Sequence, residues 1–97
     1  MKKFIFLYQG AAQPTPEVME SWTNWFKTFE DKIVDSGNPF GPGLEVKKDG
    51  STNQLPQDAQ AISGYTIINV ENMDEAEKIA KTSPVITSVR VYEAMAM

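Results

Sequence analysis

The chain has 97 residues, 41% of them hydrophobic and 23% charged, which fits one small soluble domain with a modest core. Nine basic residues against thirteen acidic ones give a net charge of −4. The bases are scattered, so no stripe forms that could neutralise a run of phosphates, and neither nucleic acid nor an anionic membrane is expected as a partner. The absence of cysteine and histidine removes disulfides, thiol catalysis, thiolate metal sites, the usual neutral-pH base and the commonest metal ligand. No cofactor and no metal is expected.

The chain opens on KKFIFLYQG, and Lys2 to Gln9 predicts a first strand. Its apolar run is shorter than the ~7–15 residues of a secretory signal. No stretch approaches the ~20 apolar residues of a membrane span, so the cytoplasm is the expected location. GAAQPTP reads as a loop. Thr15, Pro16 and Glu17 then form a helix start: a hydroxyl cap, a proline in the first turn and an acid at the positive end of the dipole. Val18, Trp22, Trp25, Phe26, Phe29 and Ile33 fall on one helical arc, which predicts a helix to about Ser36, stopped by Gly37.

NPFGPG, at 38–43, is too rich in proline and glycine for regular structure. Leu44 to Lys48 predicts a second strand, Asp49-Gly50 a turn, and STNQLPQDAQ a loop. Ile62 to Val70, rich in β-branched residues, predicts the third strand. Asn72 and Glu75 make a capping-box-like pair before a stripe of Met73, Ala76, Ile79 and Ala80. Pro84 ends that helix, and Ser88 to Ala94 predicts the fourth strand.

The order β-α-β-β-α-β is the ferredoxin-like arrangement of an α+β protein. Right-handed crossovers place both helices on one face of a four-stranded antiparallel sheet, with expected strand order 4-1-3-2 and a single domain over 1–97. The other face is also apolar. Ile5 and Leu7 oppose Phe4, Phe6 and Tyr8; Tyr65 and Ile67 oppose Ile62, Ile68 and Val70; Tyr92 opposes Val89 and Val91. Such a patch exceeds what a soluble monomer ordinarily leaves in water. Either a second copy of the chain covers it, sheet against sheet, or a loop at 51–61 does; the homodimer is the favoured cover.

Taken together, KKFIFLYQG, ESWTNWFKTFEDKIVDSGNPFGPG, ISGYTIINVEN, DEAEKIA and SPVITSVRVYEAM make nearly the whole chain resemble the YCII-related (DGPF-type) domain family. The resemblance implies a ferredoxin-like fold that dimerises through its sheets, the dimeric α/β barrel. It also implies a pocket in which some members are proposed to use a histidine and an aspartate. This chain departs from that pattern. It has no histidine, Glu20, Ser21 and Trp22 occupy the corresponding register, and Gln57-Asp58-Ala59-Gln60 stands near where the DGPF tetrapeptide would lie.

Trp22 and Trp25 share a helical face with Phe26 and Phe29, as core rings or as the aromatic wall of a pocket between helix and sheet. By helical angle Trp22 is central and Trp25 lies at the edge, the better wall residue. Tyr8 and Gln9 end the first strand beside a loop, where ligands commonly bind. Tyr65 and Tyr92 offer hydroxyls or cross-strand packing. Asp35, Asn38 and Glu45 flank NPFGPG as surface acids or, desolvated, a base. Arg90, the lone arginine, clamps a substrate carboxylate or pairs with Glu93 or a partner's acid. Three functions remain open: a small-molecule binding protein, a cofactor-free lyase, isomerase or dehalogenase acting on a small organic acid, and a structural module.

Overall fold

The computed structural model describes residues 1–10 and 14–97. Of the loop expected over GAAQPTP, residues 11–13 lie outside the described residues. Among the described residues eight elements follow in order: β1 (Lys2–Gln9), α1 (Pro16–Thr28), β2 (Ile33–Asp35), β3 (Gly43–Val46), β4 (Thr52–Leu55), β5 (Ile62–Val70), α2 (Met73–Lys81) and β6 (Ser88–Glu93). Four of them form one antiparallel sheet in the order β2-β5-β1-β6. Both helices pack on one side of it, giving the ferredoxin-like α+β fold with β1 and β5 central.

Both helices start where their caps predict. The Thr15 hydroxyl accepts from Val18 N–H at 3.2 Å, and the Asn72 side chain accepts from Glu75 N–H at 2.9 Å. Glu75 returns the contact by accepting from Glu71 N–H at 3.2 Å. That bond, chiefly, holds the Glu75 carboxyl below its usual pKa.

The first helix is shorter than its periodicity suggests. It ends at Thr28, and Ile33–Asp35 is an extended strand beside β5. Ile33 sits four residues after Phe29, so it continues the helical arc, yet a strand there also turns its side chain to the core, opposite Ile68. The β-branched pair Ile33-Val34 favours the strand. The fourth sheet position, expected for Leu44–Lys48, is therefore taken by β2. Gly37 does stop an element, but it stops this strand. Its φ is +83°, and a Cβ there would stand 1.6 Å from the Tyr65 carbonyl oxygen, so only glycine fits.

Leu44 pairs elsewhere. β3 and β4 form a separate two-stranded hairpin, turned at Asp49-Gly50 as expected, with Gly50 at φ +92°. The stretch TNQL, expected as loop, supplies the second strand. Leu44, Val46 and Leu55 remain exposed on this hairpin.

The core lies between helices and sheet. Phe4, Phe6, Thr66, Ile68 and Val70 on the sheet meet Trp25 from α1 and Ala76, Ile79 and Ala80 from α2. Two cross-links tie α1 and its exit to α2. The Trp25 indole N–H donates to the Thr82 hydroxyl at 3.0 Å, and Lys32 pairs with Glu75 at 3.4 Å. On the opposite face, Ile5, Leu7, Tyr65 and Ile67 form a row of half-buried side chains beside the exposed Tyr92. The expected alternative cover, residues 51–61, does not bury itself there: positions 51–60 are all exposed. The loop ring that reaches this face is Phe40, stacked on Tyr65 with centroids 5.6 Å apart.

Candidate functional site

The six residues singled out from sequence divide between the two faces of the sheet. Tyr8, Trp22 and Trp25 gather on the helix side. Tyr65 and Arg90 stand on the other side, flanking Leu7, with which both are in register. Gln9 closes the end of β1, where it accepts from the Ser88 hydroxyl at 3.1 Å and donates to the Gln60 carbonyl at 3.2 Å.

On the helix side the two tryptophans exchange the roles that helical angle assigns them. Trp25 is 5% exposed and is the buried residue of α1. Its ring packs 6.2 Å from Phe6 and 5.6 Å from Phe29. Trp22 is only half-buried and meets Tyr8 edge-on at 4.8 Å. The Trp25 edge of the arc is the one tied to α2, through the Thr82 hydroxyl. Trp22, not Trp25, is therefore the ring that keeps an open side. The expected pocket between helix and sheet is correspondingly filled by rings at Trp25.

Space opens at the outer side of α1. A groove of about 290 Å³ runs between α1 and β2, lined by Thr23, Phe26, Lys27, Glu30, Ile33 and Ser36. Phe26 connects it to Trp22, with ring centroids 5.7 Å apart. Behind these rings runs a hydrogen-bonded relay. The Tyr8 hydroxyl donates to the Thr66 hydroxyl at 2.7 Å, and Thr66 donates to the Ser36 carbonyl at 3.0 Å. Burial pushes the Tyr8 phenol up to about 12, against the smaller opposing effect of the Thr66 bond. At neutral pH it is a fixed donor, not a base.

Thr66 and Ser36 were not apparent as site residues from sequence. Thr66 did carry a signal: it is the hydroxyl in the otherwise apolar helix-side row of Ile62, Ile68 and Val70. Ser36 carried none, because it contributes a backbone carbonyl.

The helix-free face holds a different pair. The Tyr65 hydroxyl donates to the Asp35 carboxylate at 2.9 Å. This bond, first among several causes, raises the Tyr65 pKa. Asp35 also accepts from Gly37 N–H at 2.9 Å. Arg90 is exposed, and its expected pairing with Glu93 does not form: Glu93 lies opposite Phe4, on the helix side, whereas Arg90 lies opposite Leu7. The ion pairs among the described residues are Lys32–Glu75 and Lys81–Glu77. No group of three or more carboxylates that could hold a metal ion occurs among the described residues, and none of their helices is long and apolar enough to cross a membrane.

No family model matches the chain, and no curated protein matches it. Among solved structures, it is similar to 5-chloro-2-hydroxyhydroquinone dehydrochlorinase (TftG) from Burkholderia phenoliruptrix AC1100, in complex with 2,5-dihydroxybenzoquinone. The TM-score is 0.56 at 14% identity, over 98% of this chain and 95% of that one. At that identity the likeness establishes the shared fold.

Proposed function

We propose that this protein is a single-domain, YCII-related homodimer that binds a small planar organic molecule at the aromatic edge of α1. The carrying observation is the half-buried Trp22 ring set edge-on against the ring of Tyr8, whose hydroxyl is bonded to Thr66, and joined through Phe26 to the open groove. Trp22 and Phe26 offer faces and edges for stacking. Lys27 at the rim offers a cation to an acidic substituent. The structural neighbour supports the reading by its bound quinone, a ligand of this shape. The dimer buries Ile5, Leu7, Tyr65 and Ile67 against their copies, an interface of the ~1,600 Å² standard class.

Calorimetric titration with 2,5-dihydroxybenzoquinone tests the site. Binding is expected, and Trp22→Ala should weaken it about tenfold, the equivalent of ~1.4 kcal/mol. An unchanged affinity in that variant, or no binding by the parent protein, overturns the assignment.

A second reading is favoured by the Tyr65–Asp35 contact: a cofactor-free lyase, isomerase or dehalogenase acting on a small organic acid. Asp35 would accept a proton, Tyr65 would donate a hydrogen bond, and Arg90, on the same face, would hold the substrate carboxylate. Chloride release from a small chlorinated carboxylic acid, abolished in Asp35→Asn while binding of that acid persists, is the result that would select this reading.

A further inference from the structure

The two edges of the sheet are built differently. β2 is three residues long and carries a register irregularity between Ile33 and Asp35. Shortness and irregularity both blunt an edge against pairing. β6 is six residues long, runs in unbroken register with β1 and contains no proline. Among the described residues no strand lies beside its outer side.

The backbone groups on that outer side can be assigned. Ala94 N–H donates to the Lys3 carbonyl at 2.8 Å. Hydrogen-bonded pairs alternate along an antiparallel ladder, so Tyr92 and Arg90 also turn their backbone groups towards β1. Val89, Val91 and Glu93 turn theirs outward. The Val89 and Val91 side chains lie on the helix side, where an open groove of about 360 Å³ runs between β6 and α2. Val85, Met73, Ala80 and the Lys81–Glu77 ion pair complete its walls. A free edge and an apolar groove therefore run side by side along the same strand, the arrangement that receives an added strand.

We infer that β6 pairs antiparallel with β6 of a second copy about a two-fold axis at Val91, and that the residues following the partner's strand fill the groove. This goes beyond the face-to-face pairing proposed above and uses a different surface. The strand is complementary to itself in that register. Val91 meets the partner's Val91, and both have outward backbone groups. Arg90 meets the partner's Tyr92, a cation facing a ring. Val89 meets the partner's Glu93 on the groove side, where Lys81 is already paired with Glu77 at 3.0 Å. Centring the pairing on Arg90 instead would set two guanidinium groups opposite each other. Centring it on Tyr92 would leave Arg90 opposite the partner's Ala94.

The same register explains the apolar segment after β6. Met95 and Met97 are exposed, Met95 at 72%. Carried on as the partner's strand, they continue the side-chain parity of Val89 and Val91 and run past Val85 on the groove side.

Light scattering on the full chain at tens of micromolar tests the inference. With both the sheet face and the β6 edge paired, the parent protein has the mass of four chains. Val91→Pro removes an outward N–H, a position where an edge strand tolerates proline, and should halve the mass. Val89→Glu, which sets a carboxylate directly opposite the partner's Glu93, should do the same and serves if the proline variant fails to fold, as judged by circular dichroism. Ile67→Glu opens the sheet face instead. A parent of two chains that falls to one with Val89→Glu or Val91→Pro, but not with Ile67→Glu, supports the edge and refutes the face. A mass lowered by Ile67→Glu alone overturns the inference and leaves the groove to some other strand.

Discussion

The two faces of the central sheet are made of similar residues and end in different states. On the helix side Phe4, Phe6 and Ile68 are fully buried and Val70 is 1% exposed. On the other side Ile5, Leu7, Tyr65 and Ile67 remain half-buried and Tyr92 is 52% exposed. Hydrophobicity alone thus states that a side chain needs cover. What supplies the cover, helix or partner, is decided by which elements the chain has left to pack. Fully burying a large apolar side chain contributes ~1.5–3 kcal/mol, so the helix side carries the stability of the isolated chain and the other side is free to serve assembly.

Cutting into each face should separate these roles. Phe6→Ala should lower stability by about 3–5 kcal/mol at any protein concentration. Leu7→Ala, one residue away, should cost much less in dilute solution, and its cost should grow with concentration if copies pair through that face. Denaturant melts at two concentrations check both.

A similar contrast holds along α1. Trp25→Ala should cost about 3–5 kcal/mol and Trp22→Ala about 1–2 kcal/mol, since only the former ring is fully enclosed. Equal losses would show that the Tyr8–Trp22 contact carries as much of the core as Trp25 does.

The phenols of the two faces should titrate for different reasons. Tyr8 is raised by burial from 10.0 to about 12. Its neutral form is favoured in the folded chain, so its contribution is whole below pH 10 and is lost as pH rises through about 12. In that window the unfolded chain releases the proton first, and stability should fall by on the order of 2–3 kcal/mol. Tyr8→Phe should flatten this alkaline slope, as measured by melts from pH 9 to pH 12. The smallest effect is expected at Tyr65. Asp35→Asn removes the carboxylate that raises its pKa, so ultraviolet titration should show one phenol moving down with no loss of fold.

Much of the fold was legible because local signals agreed with one another. β1, β5 and α2 stand where apolar runs, β-branching and caps place them. The end of α1 was not legible. Phe29 and Ile33 satisfy a helical stripe, and the competing claim on Ile33 comes from Ile68, 35 positions away, through strand pairing. β4 was missed because TNQL has no apolar alternation; it is a strand only through pairing with β3. The candidate site was half legible. Its rings announce themselves, but the Tyr8–Thr66–Ser36 relay joins two strands and the residue after a third, and ends on a backbone carbonyl.

The sequence by itself determined the βαββαβ order, the two capped helices, the central strands and the need to cover two apolar faces, because each rests on residues within a few positions of one another. Tertiary structure decided which segment became the fourth strand, which tryptophan went inward, and that Asp35 stands beside Tyr65. Those outcomes depend on competition between distant partners for the same side chain. Ile33 could extend α1 or border β5, and β5 offers it a ladder of hydrogen bonds as well as the core.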